Sequence, residues 1–414
     1  MRIAIDAREL GGKPTGVGRY LGEILAAWNL MPGAAAHEFV LCAPEALALE
    51  RRAAGLGTGD PGSAARDSES RASNPHARVP SPESPVPGPQ AARYGSLRLE
   101  MRTASGHGTA WEQLTLPRLV AGADVLFAPG YSGPLRGDVP MVVTVHDVSF
   151  AAHPEWFGWR EGLRRRMITR RSAQRAARVI TVSDFSKREI VRHLHTPADK
   201  VEVIYSGTTS LRAGLTTGDR PSEPPPGGPA GGRREPLVLY VGSLFNRRHI
   251  PELIAGFDRL AGRHPDARLD IVGDNRTRPH VDVDAIVAGS AARDRIRARS
   301  FVADEELASL YGRASAFAFL SDYEGFAMTP LEALGAGIPV VLLDTEVARE
   351  IYGPAALYVP RAEPALIAQA LERLLFDQAE RARQLDAART QLARYSWHEC
   401  AQRTLQVLLA CART

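Results

Sequence analysis

"SDYEGFAMTPLEALGAGIPVV", residues 321–341, is the stretch whose reading decides the fold. Before it, ASAFAFL (314–320) is an apolar run of strand character, and IPVVLL (338–343) at its end is another. Between the two lies a short helix. Thr329 stands as its N-cap, Pro330 suits the first helical position, and Glu332 falls at N3 of a capping box. The helix is expected to run to about Gly335 or Gly337. Strand, loop, helix, strand, with both strands apolar throughout, is the unit of a parallel sheet covered by helices. Seven residues separate two carboxylates here, Glu324 and Glu332. The cap alone accounts for Glu332, but Glu324 occupies the loop at the carboxyl end of a strand, where open α/β sheets hold ligands. The N–H groups of such a loop and helix N-terminus favour a phosphate. A carboxylate beside a phosphate is useful where it accepts hydroxyls, so the combination suggests a sugar joined to a diphosphate.

The same alternation recurs in two series. RIAID (2–6) is a strand, TGVGRYLGEILAAW (15–28) turns through Gly16 and Gly18 into a helix, and HEFVLCAP (37–44) is the next strand. ADVLFAP (123–129) and PMVVTVHD (140–147) are strands, 160–178 is an Arg-rich helix, RVITVSDFSKREIVRHL (178–194) is strand, turn and helix, and KVEVIYSG (200–207) closes the series. The second series has PLVLYVGSL (236–244), a helix from about 251 to 263, ARLDIVGD (267–274) and the helix DEELASLYGRA (304–314). Residues 55–95, rich in Pro, Gly, Ser and Ala, read as a disordered insertion, and 211–235 as a Pro/Gly linker. These observations predict two doubly wound, Rossmann-like domains facing each other, at 1–210 and 236–395, with 396–414 as a terminal helix.

Composition narrows the classes. Lys and Arg number 51 against 47 Asp and Glu, a formal charge of +4 over 414 residues, which is too balanced to argue for nucleic acid. Cys42, Cys400 and Cys411 show neither metal spacing nor a disulfide framework, which fits a reducing compartment. MRIAIDAREL lacks a signal-peptide layout and no run has the length of a transmembrane helix, so a cytoplasmic protein is expected. WFGWREGLRRRMITRRSAQRAARVI (156–180) reads either as a peripheral membrane patch, with Trp156, Phe157 and Trp159 ahead of the arginines, or as a helix with a solvated basic face. Asp282 and Asp284 have an Asp-x-Asp spacing but sit in a helical or loop segment, and no metal site is expected.

IDARELGGKPTGVGRY, VVTVHDVSFAAHPEWF, VITVSDFSKREI, YVGSLFNRRHIPELIAGF and EGFAMTPLEALGAGIPVV, in this order, resemble the retaining, nucleotide-sugar-dependent glycosyltransferases of family 4, also known as glycosyl transferase group 1. The resemblance covers nearly the whole chain apart from the insertion and the linker. It implies the GT-B fold, with an N-terminal acceptor domain, a C-terminal nucleotide-sugar domain and a last helix returning to the N-terminal domain. It implies transfer of a hexose, mannose favoured, from GDP-mannose or a UDP-hexose to a glycan or lipid-linked acceptor in bacterial surface polysaccharide synthesis, without metal or other cofactor. By the same resemblance, Glu324 holds donor-sugar hydroxyls with the N–H groups of Gly325, Phe326 and Ala327, and Glu332 accepts from the ribose. Arg247 and Arg248, where relatives have Arg then Lys, clamp the diphosphate, and His146 reaches the donor sugar. Gly16 and Gly18 let the backbone approach a ligand. Ser183 either approaches the cleft or N-caps the helix that follows. Ser300-Phe301-Val302 matches the segment that reads the base, with Ser300 in place of a usual Gly, and Ala327 also replaces a Gly. Arg19 and Tyr20 serve the acceptor side or packing. The competing class is a non-catalytic scaffold of this fold binding anionic lipid or nucleic acid through its Arg-rich face; a sugar-phosphate synthase is a third reading.

Overall fold

A computed structural model of the protein describes residues 1–11, 16–47, 90–208 and 234–412. The N-terminal domain is built on eight strands: β1 (Arg2–Asp6), β2 (Glu38–Ala43), β3 (Gln90–Tyr94), β4 (Leu97–Thr103), β5 (Val125–Ala128), β6 (Met141–Thr144), β7 (Arg178–Thr181) and β8 (Val201–Val203). Their order is β3-β4-β2-β1-β5-β6-β7-β8, parallel except that β3 runs antiparallel to β4. The C-terminal domain has β9 (Leu237–Val241), β10 (Arg268–Val272), β11 (Ile296–Arg299), β12 (Ala316–Phe319), β13 (Val340–Leu343) and β14 (Ala356–Val359) in the parallel order β11-β10-β9-β12-β13-β14. Both sheets reverse direction once, between β1 and β5 and between β9 and β12. Open sheets hold ligands beside such a reversal, at the carboxyl ends of the strands. The loops after β9 and β12 carry the Arg pair and Glu324 to that place.

The strands form where the sequence is apolar without interruption, because both faces are covered. Ile3, Ile5, Phe39 and Phe127 point to one face of the N-terminal sheet, and Ala4, Val40, Leu126 and Val143 to the other. On the first face lies the helix Gly16–Leu30, whose Tyr20, Ile24 and Trp28 recur every fourth residue and are fully covered. The terminal helix Trp397–Cys411 packs beside it, and the Trp28 indole donates to Ala401 O at 2.8 Å. The chain therefore crosses back to the N-terminal sheet after completing the second domain.

Two boundaries need correction. Most of the 55–95 segment lies outside the described residues, but 90–94 is strand β3, hairpinned to β4 through Gly95 in the left-handed region (φ 59°). Of the 211–235 linker, all but Arg234 and Glu235 lies outside the described residues. Arg234 is anchored, its guanidinium donating to Ala314 O and Ala336 O.

Candidate active site

Glu324 sits in the loop after β12 and Arg248 in the loop after β9, and the two side chains meet. Arg248 Nε and Nη2 each lie 2.8 Å from Glu324 Oε1, which also accepts from Ser321 Oγ at 2.8 Å. Arg248 Nη1 donates to Ser243 O at 2.8 Å, and the guanidinium lies over the Phe319 ring, 4.7 Å from its centroid. Burial works against the charge of Arg248, but the Glu324 carboxylate beside it holds the guanidinium firmly protonated. All three contacts to Glu324 fall on one oxygen, so Oε2 remains to accept hydroxyls. Arg247 is engaged differently. Its Nε donates to Tyr323 O at 3.2 Å, and its guanidinium lies over Phe245 (4.3 Å) and over Trp156 of the other domain (5.5 Å). Of the pair, Arg248 mainly fixes Glu324, while Arg247 keeps more N–H groups for an anion.

The Glu324–Ala327 loop is pressed onto the N-terminal domain. A Cβ on Gly325 would fall 2.0 Å from His146 O, so only glycine permits this approach. Gly325 O accepts from Ser183 Oγ at 2.7 Å. Ser183 also caps the helix Asp184–Leu194, accepting from Ser186 N at 3.0 Å, so the capping role considered for it is realised while its hydroxyl hydrogen reaches the other domain. Ser186 Oγ donates to His146 O at 3.1 Å. From the opposite side Glu350 accepts from the N–H groups of Asp184 and Phe185 (2.7 and 2.9 Å), so a C-terminal-domain carboxylate completes the cap of an N-terminal-domain helix.

The His146 ring is packed between Tyr20 (4.8 Å) and Tyr131 (5.5 Å), and its Nε2 donates to Pro129 O at 2.8 Å. Burial lowers its pKa, so the ring is held neutral with Nδ1 as acceptor. Tyr131 stands in the left-handed region (φ 64°) and donates to Asp147 Oδ2 at 2.7 Å; Asp147 Oδ1 accepts from Ser149 N. A bulky residue held there is a strained feature of the kind found at ligand sites.

The capping-box expectation is corrected. The helix is Met328–Gly335, its N-cap is Ala327 in the left-handed region (φ 59°), and no side chain caps it. The turn at Ala327 brings Met328 into the helix, which moves Pro330 and Glu332 deeper into it. Freed from capping, Glu332 points across the cleft, and Arg19 Nη1 of the N-terminal domain lies 2.6 Å from its Oε1. Burial raises the Glu332 pKa, with Arg19 opposing. Ala327 O accepts from the Tyr352 hydroxyl, and the Phe326 ring is buried against Tyr205 and Tyr395.

Other candidates stand apart. Gly16 and Gly18 lie inside the first turn of the helix Gly16–Leu30 rather than in a turn before it. Val302 follows β11, and its side chain is buried in the C-terminal core, while Phe301 is exposed. Asp282 caps the helix Val283–Gly289 by accepting from Ala285 N. Sequence reasoning missed Tyr131, Ser186, Glu350 and the pairing of Arg19. It also missed a buried cluster at the end of β1: Arg8 pairs with Asp6 and Glu112, and burial pushes Asp6 up to about 6. Among these, only the extended IDAR run hinted at its place, as charged residues at a strand end.

A family model described as "Glycosyl transferases group 1" matches residues 230–391, and one described as "Glycosyltransferase Family 4" matches 16–209. The chain belongs to the family 4, group 1 glycosyltransferases. O-antigen chain mannosyltransferase B of Escherichia coli is 28% identical over 64% of this chain and 68% of its own length. Glycogen synthase of Mycobacterium tuberculosis is 28% identical over 67% and 64%. These matches thus span about two-thirds of the relatives' lengths. Among solved structures, Anabaena HepE in complex with UDP-glucose superimposes with a TM-score of 0.68 at 16% identity, covering 99% of this chain and 100% of that one. WaaG, a glycosyltransferase involved in lipopolysaccharide biosynthesis, gives 0.63 at 14% identity, covering 99% of both. The fold of this family 4 chain is GT-B.

Proposed function

We propose that the protein is a retaining hexosyltransferase that moves a hexose, mannose favoured, from a nucleoside diphosphate sugar to a hydroxyl of a glycan or lipid-linked acceptor in bacterial surface polysaccharide synthesis. The observation that carries this reading is the meeting of Glu324, Arg247, Arg248 and the 325–327 backbone with His146 across the cleft. In this reading Glu324 Oε2 accepts donor-sugar hydroxyls, and the N–H groups of the loop and of the helix Met328–Gly335 face the diphosphate. Arg247 and Arg248 stabilise the charge that develops on the leaving nucleoside diphosphate, which is the task a metal performs in other transferases. Neutral His146 accepts from a sugar hydroxyl at Nδ1. The leaving diphosphate oxygen takes the proton of the attacking acceptor on the same face, which retains the anomeric configuration. The apposed domains exclude water and limit donor hydrolysis. The mannosyltransferase among the relatives supports the choice of sugar.

A lipid-linked acceptor agrees with one surface. The helix Trp159–Arg175 exposes Trp159 (73%), Leu163 (49%) and Met167 (44%) at four-residue spacing, beside exposed Arg160, Arg164, Arg170 and Arg171. This stripe suits the surface of an anionic bilayer. Trp156 and Phe157 do not belong to it: Trp156 stacks on His153 and faces Arg247, and Phe157 packs on the core. Among the described residues no helix is long and apolar enough to cross a membrane. The decisive experiment is a screen of GDP-mannose, UDP-glucose and related donors, following nucleoside diphosphate release. One donor turned over, with release lost in Glu324→Gln and Arg248→Ala, supports the reading; salt-sensitive binding to anionic vesicles or RNA without turnover of any donor would replace it with the scaffold.

A further inference from the structure

The pairing of Arg19 with Glu332 joins the two domains at a carboxylate that the family resemblance assigns to the ribose of the nucleotide. Glu332 is 4% exposed and lies mid-helix, where it caps nothing. Its contact with Arg19 Nη1 falls on Oε1. Burying a carboxylate in a domain interface carries a desolvation penalty that a single one-sided ion pair offsets poorly. A second unmatched group lies within reach of its charge. The Tyr311 hydroxyl, on the helix Asp304–Arg313, is 2% exposed, has no hydrogen-bond partner and feels the charges of both Glu332 and Arg19. A half-engaged carboxylate next to an orphaned buried hydroxyl is a polar site that ligand hydroxyls complete.

We propose that Arg19 is a positioning residue for the nucleotide: it holds one oxygen of Glu332 so that the other, with the Tyr311 hydroxyl, meets the vicinal hydroxyls of the ribose. This rests on the reading of Glu332 as the ribose acceptor. Because Arg19 belongs to the N-terminal domain, the nucleotide grip is complete only when the domains are apposed. Arg19 also favours the ionised form of Glu332. The groups that act on this carboxyl are Arg19 and Glu23 from the helix Gly16–Leu30, Tyr311, and Tyr352 from the helix Glu346–Tyr352. Burial and Glu23 favour the protonated acid, and Arg19 opposes them. Only the ionised form offers every lone pair to a diol.

The test is titration calorimetry of GDP and UDP and their 2′-deoxy counterparts into the wild type, Arg19→Ala, Arg19→Lys and Glu332→Gln, between about pH 6 and about pH 9. The wild type is expected to prefer the ribonucleotide roughly tenfold across this range. Arg19→Ala should lose that preference as pH falls, by up to about tenfold per unit, and recover it as pH rises and Glu332 ionises. Arg19→Lys should behave as the wild type, and Glu332→Gln should bind both sugars alike at every pH. A flat profile for Arg19→Ala, with the ribose preference intact, overturns the inference even if overall affinity drops, because Arg19 would then serve docking alone. If Glu332→Gln also keeps the preference, or if the wild type binds no nucleoside diphosphate, the reading of Glu332 fails and the inference falls with it.

Discussion

Replacing Gly325 by alanine should separate the two domains at the point where they build the site. The new Cβ would lie 2.0 Å from His146 O and 2.9 Å from His146 C. Both are backbone atoms at the end of a buried strand, so no side chain can rotate away. The loop must retreat by more than about 1 Å before the contact becomes an ordinary one. Retreat stretches the 2.7 Å bond from Ser183 Oγ to Gly325 O, a buried hydrogen bond whose loss costs about 1–3 kcal/mol. Overpacking adds about 1–3 kcal/mol, so the domain contact weakens by on the order of 3 kcal/mol. Glu324 is the adjacent residue, and a displacement of about 1 Å at a reacting group lowers turnover roughly 100-fold. The assay is donor turnover beside thermal unfolding, with Gly335→Ala as control, because a Cβ there meets nothing within 4 Å. The control should match the wild type in turnover and unfold no earlier. Gly325→Ala with turnover within about threefold of the wild type, and an unchanged midpoint, would refute the claim that this contact positions the loop.

Arg248→Ala should lower turnover about 100- to 1,000-fold, with Arg248→Lys intermediate, because one ammonium cannot span both Glu324 Oε1 and Ser243 O; steady-state kinetics with the donor identified by the screen decides it. Ala327→Gly relieves a left-handed alanine (φ 59°), and the relief of about 1–2 kcal/mol is partly offset by a looser unfolded chain. A net gain below about 1 kcal/mol is therefore expected in urea unfolding, and a clear loss of stability would contradict it. Asp6, pushed up to about 6 by burial, binds its proton more tightly in the folded state than at its ordinary 3.8, so it withdraws stability as pH rises from about 4 to about 6. Asp6→Asn should flatten that part of the stability profile, and an unchanged slope in denaturation midpoints across the window would exclude Asp6 as its source.

Most strands were legible because each is covered on both faces and so reads as an unbroken apolar run; RIAID at 2–6 coincides with β1. Glu324 was legible for a related reason, since a charged residue in the loop after such a run stands at the carboxyl edge of the sheet, while the Arg pair was read through the family resemblance. β3 was not, because QAARY lies at the end of a Pro-, Gly- and Ser-rich segment and owes its strand to pairing with β4. The capping box misled because Thr-Pro-Leu-Glu satisfies the local rule, while the backbone had already turned at Ala327. What local rules cannot reach is the pairing of residues far apart in the chain, such as Arg19 with Glu332, Gly325 with His146 and Glu350 with the Asp184 cap.

Those distant pairings also constrain how the protein can work. The loop that carries Glu324 is held by Ser183 and by close approach to His146, and Glu332 is held by Arg19. Sugar and nucleotide ends of the proposed donor site are therefore each completed by the opposite domain. In that proposed site neither domain alone presents the full set of contacts, so donor binding and domain apposition would be linked: whatever favoured one would favour the other by the same amount. A motion that parts the domains to release product would dismantle the proposed grip on both the sugar and the nucleotide ends of the donor at once, while one that closes them would restore Glu324, Glu332 and the neutral His146 ring together. In the proposed transfer, where water competes for the donor, this coupling would confine the assembled site to the apposed arrangement of the domains.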